Sequence, residues 1–201
     1  MPSAQQPHDL SPSLPLKRIL LTISTLSAGG AERVASELVN HWAARGWTVG
    51  LLTLTDKDSD HYSLDPRVER IGLDLIWESN NPWHGFLSNL RRSRMIRQVT
   101  KTFSPDVVVS FIEQTNVRVL AALVGTGIPV IVSERVDPRM VSIGPAWEWA
   151  RRILYPLSAA LVVQTRAVTE WAEKLVPSHK VRAIPNCISH LPDPSSFSER
   201  A

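Results

Sequence analysis

The segment Lys17 to Trp47 constrains the fold of this chain more than any other part of its sequence. It opens with a short run of aliphatic residues, Ile19 to Ile23, which is typical of a strand buried on both faces. From Ala31 onward, apolar residues recur at the i, i+3, i+4, i+7 spacing of a helix that packs on a sheet. Gly46 supplies the C-terminal stop. The segment therefore predicts a strand, a tight turn and an amphipathic helix.

The turn between this strand and this helix contains two adjacent glycines, Gly29 and Gly30. Glycine has no Cβ, so another molecule can approach the backbone closely, and the N-terminus of the following helix presents unpaired N–H groups with partial positive charge. That combination suits a phosphate, and we expect a phosphate-binding loop at Gly29, Gly30 and Ala31. The three spaced glycines of the dinucleotide fingerprint are absent. The alternative is a tight turn without a ligand.

The composition limits the classes of protein to which the chain can belong. Its 201 residues suffice for one domain with a sizeable core. The single cysteine, Cys187, excludes a disulfide framework and a multi-cysteine metal site, and it fits a reducing compartment. No apolar run is long enough to span a bilayer, and no H-E-x-x-H or similar metal spacing occurs. The net charge of +3 is too mild to imply nucleic acid.

Buried strands and amphipathic helices alternate through the rest of the chain. Six further strands are predicted at Thr48–Thr55, Val68–Leu73, Asp106–Phe111, Pro129–Ser133, Ala159–Gln164 and Val181–Ile184. The alternation predicts an α/β fold with an open, doubly wound, mostly parallel sheet of Rossmann-like type. We expect residues 1–15 to be a flexible leader, residues 16–186 the domain, and residues 187–201 a hinge or linker.

Polar side chains gather where three of the predicted strands end, and ligands bind at the carboxyl ends of strands in doubly wound sheets. One strand end carries the glycine pair. Arg135 is suited to stabilise negative charge on a departing phosphate, and Glu113 to accept a proton from a hydroxyl or to bind a sugar. The structural alternatives are salt bridges to helix ends and a helix cap. The candidate polar residues after the other two strands are Glu113, Gln114, Asn116, Ser133, Glu134, Arg135 and Asp137.

Residues 77–103 combine aromatic and basic side chains. On one continuous helix, Met95, Ile96, Val99 and Phe103 share the face that packs on the sheet, and a second set lies on the opposite face. We expect that second set to dip an apolar tip among lipid headgroups and to lay cations along anionic phosphates. The alternative is a solvated basic face with a helix break near Arg91. The predicted membrane interface comprises Trp83, Phe86, Leu90, Arg94, Arg97 and Lys101.

A second helix with tryptophan and arginine is predicted at residues 146–155. Its expected inward residues are Trp147, Ala150, Ile153 and Leu154, with Trp149, Arg151 and Arg152 on other faces. Part of it, from Trp147 to Arg152, is a further candidate for membrane contact.

With these motifs in place, the chain resembles the N-terminal half of family 4 glycosyltransferases of the GT-B fold. The resemblance covers about residues 17–190. The matching stretches are GGAERVASELVNHWAARGWTVGLLTL at 29–54, PDVVVSFIEQTN at 105–116, PVIVSERVDPR at 129–139 and IPNCIS at 184–189.

The resemblance implies transfer of a sugar, with retention at the anomeric carbon, from a UDP- or GDP-linked donor to a lipid-linked or polysaccharide acceptor. It implies no metal or other cofactor. In such enzymes the N-terminal domain mainly binds the acceptor, and the glycine loop faces the donor diphosphate. The implied site has Glu113, Glu134 and Arg135 as catalytic residues and Asn116, Ser133 and Asp137 as acceptor-binding residues. The implied location is cytoplasmic, on the inner face of an anionic membrane.

The sequence departs from the family pattern in one respect. The family holds the nucleotide sugar chiefly on a second Rossmann-like domain with a Glu-x7-Glu pair, and no two glutamates of this chain are eight positions apart. We therefore expect an isolated acceptor-binding half that does not turn over alone, its donor bound by a missing domain. Two alternatives remain: a non-catalytic module that binds lipid or a partner domain, and another GT-B-like enzyme such as a sugar-nucleotide epimerase.

Overall fold

The computed structural model describes residues 17–75 and 82–186, with the backbone only for residues 82–89. The predicted leader, the predicted linker with Cys187, and the side chains of Trp83 and Phe86 lie outside the described residues.

Strands and helices alternate along the described residues as the sequence predicts. In chain order they are β1 Arg18–Ile23, α1 Gly30–Ala44, β2 Thr48–Thr53, β3 Glu69–Gly72, α2 Pro82–Phe103, β4 Val107–Phe111, α3 Glu113–Leu123, β5 Val130–Ser133, α4 Pro145–Leu154, β6 Ala160–Val163, α5 Thr169–Ala172 and β7 Val181–Ala183. Short 3₁₀ turns occur at Tyr155–Leu157, Arg166–Val168 and Ser178–Lys180.

The seven described strands form one parallel sheet in the order β3-β2-β1-β4-β5-β6-β7. The prediction of an open, doubly wound parallel sheet is confirmed. Chain order reverses between β1 and β4, which makes their carboxyl ends the topological switch point, where ligands bind in such sheets. The ends of β1, β4 and β5 are neighbours, since Thr22 pairs with Ser110 and Phe111 pairs with Ser133. The three predicted strand ends therefore lie side by side.

Two apolar cores cover the two faces of this sheet. On one face, α1 packs through Val34, Ala35 and Val39. The opposite face is covered by α2, α3, α4 and α5, with Ile96 and Leu120 among the buried residues. Right-handed crossovers produce this division, because the chain moves one way across the sheet from β1 to β2 and the other way from β4 to β7. We call the second group the helical layer.

Backbone conformation sets the helix ends. Gly46, which the sequence predicts as the stop of α1, has φ of 80°, the left-handed conformation that glycine adopts at little cost. Ile112 joins β4 to α3 with φ of 72°. A β-branched residue in this region is strained by about 1–3 kcal/mol, and such strain is often found at functional sites. The junction lies at the switch point.

The structure differs from the sequence prediction along α2. The helix is continuous over 22 residues, so it does not break near Arg91. Ile96 and Phe103 are buried as predicted. Arg97, however, does not lie on a free face: its Nη1 donates to the carbonyl oxygens of Ala122 and Val124, at 2.9 Å each. The last carbonyl groups of a helix have no hydrogen-bond donor within the helix. Arg97 supplies that donor at the end of α3.

Two further elements differ from their predictions. In α4, Ile153 is 49% exposed and Arg151 is 1% exposed, the reverse of the expected arrangement. The cause is the pair of carboxylates that Arg151 reaches inside the protein, described below. For residues 166–175 the sequence also predicts one helix, with Thr165 as its N-cap. These residues instead form a 3₁₀ turn and a single turn of α-helix, and the side chain of Thr165 makes no capping hydrogen bond within the described residues.

Among the described residues, no helix has the length and apolar character needed to cross a membrane.

Candidate functional site

The last residue of β5 and the two residues that follow it divide between the two sides of the sheet. Successive side chains of an extended segment point to opposite faces. Ser133 and Arg135 lie beside Phe111 at the strand ends. Glu134 points into the helical layer, where it meets Tyr155 and Arg151. The predicted site residues are therefore close in sequence but in two separate environments.

Arg135 joins the carboxyl ends of four strands. Its guanidinium lies 4.6 Å from the centre of the Phe111 ring, at the end of β4. Its Nη1 is 3.5 Å from Ser133 Oγ, and its Nη2 donates to Asn186 Oδ1, just after β7. Its carbonyl oxygen accepts a hydrogen bond of 2.8 Å from Gln164 Nε2, after β6. Partial burial lowers the pKa of Arg135 below its usual value, although a guanidinium stays charged at neutral pH.

The glycine turn is open at one residue and occupied at the other. The Tyr62 hydroxyl donates to the carbonyl oxygen of Gly29 at 2.8 Å and accepts from its N–H at 3.2 Å. A Cβ added to Gly29 would lie 2.2 Å from Glu32 Oε2, whereas one added to Gly30 would meet nothing within 4 Å. A carboxylate is stabilised at a helix N-terminus, and Glu32 takes this position. A phosphate that binds here has open backbone at Gly30 and has to displace or avoid Glu32.

A network of buried polar side chains surrounds Glu134, which is 1% exposed. The Tyr155 hydroxyl donates to Glu134 Oε1, and it accepts from Asn116 Nδ2 at 3.2 Å. Arg151 Nε lies 3.6 Å from the same Glu134 oxygen. Arg151 Nη1 also donates to Glu148, with distances of 3.1 and 3.2 Å to its two oxygens. The network ties the end of β5 to α3 and α4.

Burial raises the pKa of Glu134 to about 7, because loss of water disfavours the carboxylate more than Arg151 and Tyr155 favour it. The neighbouring carboxylates of Glu113 and Glu148 add to this increase. Burial, together with the charge of Glu134, also raises the pKa of Tyr155. Glu134 Oε2 has no hydrogen-bond partner among the described residues. This carboxyl group can therefore carry a proton near neutral pH.

The remaining predicted site residues lie nearer the surface. Glu113 is half-buried and is the first residue of α3, but the N-cap is Ile112, and the described residues make no side-chain capping hydrogen bond there. Asp137 forms an ion pair of 2.6 Å with Arg139 in its own loop, and hydrogen bonds from Arg139 lower the pKa of Asp137 to about 2. Asp137 thus forms a salt bridge within its own loop, and not with a helix end as the structural alternative had it. Asn116 is fully buried, and Nδ2 also donates to the Ser133 carbonyl at 3.1 Å.

Sequence reasoning missed Arg151 and Tyr155 as partners of the predicted site. A signal was present, because Arg151 follows Trp147 by four residues and precedes Leu154 by three, so all three share the inward face of α4. A buried glutamate requires a nearby cation or a proton, and Glu134 is 17 residues earlier in the chain. The Glu148 side chain, one turn before Arg151, completes the arrangement.

Two cavities among the described residues lie away from the carboxyl ends of β1, β4 and β5. One, of about 310 Å³, is between β3 and α2 and is lined by Ile71, Met95 and Phe103 among others. The other, of about 420 Å³, is at the amino ends of β5 and β6, near Val124 and Lys180. Neither includes a predicted catalytic or acceptor-binding residue. Within residues 17–75 and 82–186, no three His, Cys, Asp or Glu side chains are grouped to hold a metal ion.

Comparison with a curated protein shows similarity over most of the chain. It is 28% identical over 182 residues to the GalNAc-alpha-(1->4)-GalNAc-alpha-(1->3)-diNAcBac-PP-undecaprenol alpha-1,4-N-acetyl-D-galactosaminyltransferase of Campylobacter jejuni. The match covers 90% of this chain and 49% of that relative. The chain thus spans about half the length of the curated relative it matches.

Solved structures share the fold at low identity. A sucrose-phosphate synthase from Thermosynechococcus elongatus is 13% identical with a TM-score of 0.64, covering 84% of this chain and 48% of that one. A UDP-N-acetylglucosamine 2-epimerase from Rickettsia bellii is 12% identical with a TM-score of 0.60, covering 82% and 44%. These two names describe different reactions, so the fold does not select between them.

The family itself is identified by a match that extends from the glycine turn to the last described strand and just beyond it. Residues 29–187 match the family model described as a glycosyl transferase 4-like domain. The match includes the ends of β4 and β5 and the predicted site residues. As the resemblance to family 4 enzymes predicted, the chain belongs to the glycosyl transferase 4-like domain family, with the fold of the GT-B glycosyltransferases.

Proposed function

We propose that this chain is the acceptor-binding half of a membrane-associated glycosyltransferase, which moves a sugar from a UDP- or GDP-linked donor to a lipid-linked or polysaccharide acceptor. Family membership supports sugar transfer. The Campylobacter jejuni relative, named for a glycan on PP-undecaprenol, supports a lipid-linked acceptor. We expect no turnover by these residues alone, because the family's Glu-x7-Glu donor motif does not occur among the 201 residues. A cytoplasmic position at the inner face of the membrane is part of the proposal.

The observation that carries this proposal is the position of Arg135. Its guanidinium lies at the carboxyl ends of β4 and β5, beside the switch point, and Nε is buried with no hydrogen-bond partner among the described residues. A guanidinium offers donors in a planar fork that matches the oxygens of a diphosphate. Gly30, at the neighbouring end of β1, has open space beside its backbone. We therefore assign the diphosphate of an acceptor or donor to this edge of the sheet.

The test is calorimetric titration of farnesyl diphosphate into the chain and into Arg135→Met. Hydrogen bonds to a charged group contribute about 1.5–3 kcal/mol, so we expect Arg135→Met to bind at least about tenfold more weakly. Arg139→Met is the matched control, because Arg139 is in the same loop and its guanidinium already pairs with Asp137. Equal affinity in the chain and in Arg135→Met would contradict the assignment.

The non-catalytic alternative has one observation in its favour. Glu32 and Tyr62 occupy the space and the hydrogen-bonding groups around Gly29, where a phosphate was expected. Titrations of UDP, GDP and farnesyl diphosphate separate the two functions. The transferase half is expected to bind the prenyl diphosphate and to bind the nucleotides weakly or not at all. A chain that binds none of the three but floats with anionic vesicles would be a lipid-binding module.

The proposed membrane association depends on α2. The sequence of this helix contains no aspartate or glutamate, and Leu90, Arg94 and Lys101 are exposed. Arg97 is not part of the proposed membrane contact, because it donates hydrogen bonds to carbonyl oxygens at the end of α3. The exposed basic residues suit an anionic surface.

A further inference from the structure

The outer face of the helical layer from α2 to α4 has an uneven charge distribution. These three helices contain eight arginines and lysines and two glutamates. Both glutamates, Glu113 and Glu148, are half-buried, and Glu148 is paired with Arg151 at 3.1 Å. On the opposite side of the sheet, acidic residues are frequent in α1 and in the loop after β2. They are Glu32, Glu37, Asp56, Asp58, Asp60 and Asp65. Among the described residues, the three longer helices of the helical layer therefore present exposed cations and no exposed carboxylate.

The exposed cations of α2 lie on one stripe. Arg91, Arg94 and Lys101 are all exposed, and at 100° per residue they fall within about a quarter of the helix circumference. Leu90, which is 40% exposed, borders the same stripe. The stripe therefore presents a row of positive charge with an apolar edge.

An exposed apolar strip lies on α4, on the far side of α3. Trp149 is 68% exposed and Ile153 is 49% exposed, and residues four apart stack on one face of a helix. Leu157, in the 3₁₀ turn that follows, is 60% exposed, and Arg152 is exposed beside them. These side chains stay outside because Trp147, Ala150 and Leu154 already pack against the core. Contiguous exposed apolar residues mark interaction surfaces.

We propose that the outer face of the α2–α3–α4 layer is a docking surface for an anionic lipid bilayer, with Trp149 and Ile153 as its apolar anchor. The inference rests on the membrane association in the proposed function and adds a second contact on another helix. Two contacts define an orientation, in which the helical layer lies flat between the bilayer and the sheet. Neighbouring helices pack 8–10 Å apart, so the stripe on α2 and the strip on α4 are roughly 20 Å apart.

The combination of residues favours a bilayer over other partners. An anionic bilayer offers negative headgroups and, about 5–10 Å below, an apolar region that accepts Trp and Ile side chains. Tryptophan is enriched at such interfaces because its ring is apolar with one polar group. A nucleic acid would use the cations but would leave Ile153 and Leu157 without apolar partners. The separation of charge and apolar anchors over two helices also exceeds the size of a single phosphate site.

The test is flotation of the chain with phosphatidylcholine vesicles, with and without phosphatidylglycerol. We expect strong flotation with the anionic lipid and only a small residual fraction without it. Arg94→Glu with Lys101→Glu, and Trp149→Ser with Ile153→Ser, should each weaken binding by about tenfold or more. The matched controls are Arg45→Glu with Lys57→Glu, for charge reversal away from this face, and Ile184→Ser, for an apolar residue that is 54% exposed elsewhere. Both controls should float as the unchanged chain does.

Each other outcome has a definite meaning. If Trp149→Ser with Ile153→Ser floats normally while the α2 variant does not, the α4 anchor is wrong and membrane association stands. If the unchanged chain does not float, the membrane part of the proposed function fails as well. A concentration-dependent dimer in light scattering that the α4 variant abolishes, with flotation unaffected, would assign the strip to a second copy of the chain.

Discussion

Glu134 shows how a single residue can have its charge set by its neighbours. One guanidinium, that of Arg151, lies between two carboxylates, those of Glu148 and Glu134. Glu148 is the more exposed of the two, so its charge is better solvated. The state with least buried net charge has Arg151 and Glu148 ionised and Glu134 protonated. This distribution explains why the pKa of Glu134 is raised to about 7 in spite of a nearby arginine.

The raised pKa of Glu134 makes stability depend on pH in a defined direction. The pKa is about 7 in the folded chain and 4.5 in its unperturbed state. Between these values the folded state binds more protons, so the free energy of unfolding falls as pH rises. Glu134→Gln mimics the protonated form at every pH. We expect it to match the unchanged chain below about pH 5 and to exceed its stability by on the order of 3 kcal/mol at about pH 8.

Urea unfolding followed by circular dichroism, at about pH 5 and about pH 8, measures this difference. Asp65→Asn is the control: its pKa, lowered to about 2 by Arg67, lies below both conditions. Its effect should therefore be the same at both. If Glu134→Gln changes stability equally at the two pH values, the proton on Glu134 is not the cause.

Arg97 and Arg94 compare a structural arginine with a surface arginine on the same helix. Arg97 donates from one nitrogen to two carbonyl oxygens at the end of α3, while Arg94 is exposed. Hydrogen bonds from a charged donor contribute about 1.5–3 kcal/mol, and exposed substitutions usually change stability by less than about 0.5 kcal/mol. We expect Arg97→Ala to lower the free energy of unfolding by about 1.5–3 kcal/mol. Arg94→Ala should lower it by less than about 0.5 kcal/mol.

Thermal or urea unfolding of the two variants distinguishes these cases, and both replacements have the same helix propensity. Losses of equal size would show that the contact with α3 contributes nothing beyond the surface position. Arg97→Lys is informative as well, since one ammonium can reach the same carbonyls with less favourable geometry.

At the level of elements, the sequence predicted what depends on local pattern. The strands were predictable because parallel strands are apolar on both faces, and their predicted bounds differ from the structure by one or two residues, as for β3. The neighbouring strand ends followed from the parallel order. The spacing of α4 places Arg151 on its inward face, but the partner of Arg151 was not predictable from α4 alone, because Glu134 lies at the end of β5. The same holds for Arg97, whose partners are carbonyls of α3.

The candidate site was predictable as a place and less so as a set of contacts. The sequence placed Ser133, Glu134 and Arg135 together at a strand end. Their separation into two environments depends on what covers each face of the sheet, which is a property of the whole fold. Arg135 remains at the edge beside Phe111, and Glu134 is enclosed with Tyr155. The catalytic and acceptor-binding roles predicted for these residues stay predictions.

The charge of the described residues is unevenly distributed. The helices α2, α3 and α4 carry exposed arginines and Lys101 and no exposed carboxylate, whereas α1 and the loop after β2 carry both signs of charge, and the exposed Glu170 and Glu173 lie in α5 and directly after it. Such an arrangement orients the molecule in the field of a charged surface before any contact forms. The face turned toward an anionic bilayer is then the one with the Trp149 strip. Charge thus orients the molecule as it approaches the bilayer, and burial of the apolar side chains keeps it bound there.

These two contributions respond differently to salt, which gives a test at the scale of the molecule. Exposed charges are screened over about 10 Å at 0.1 M salt and about 3 Å at 1 M, while apolar burial is not screened. Flotation should therefore decrease with salt and level off at a residual fraction. Arg94→Glu with Lys101→Glu should lower the fraction at low salt and reduce the slope. Trp149→Ser with Ile153→Ser should remove the residual and keep the slope. Identical salt profiles for the two variants would mean that charge and apolar contacts are not divided between α2 and α4 in this way.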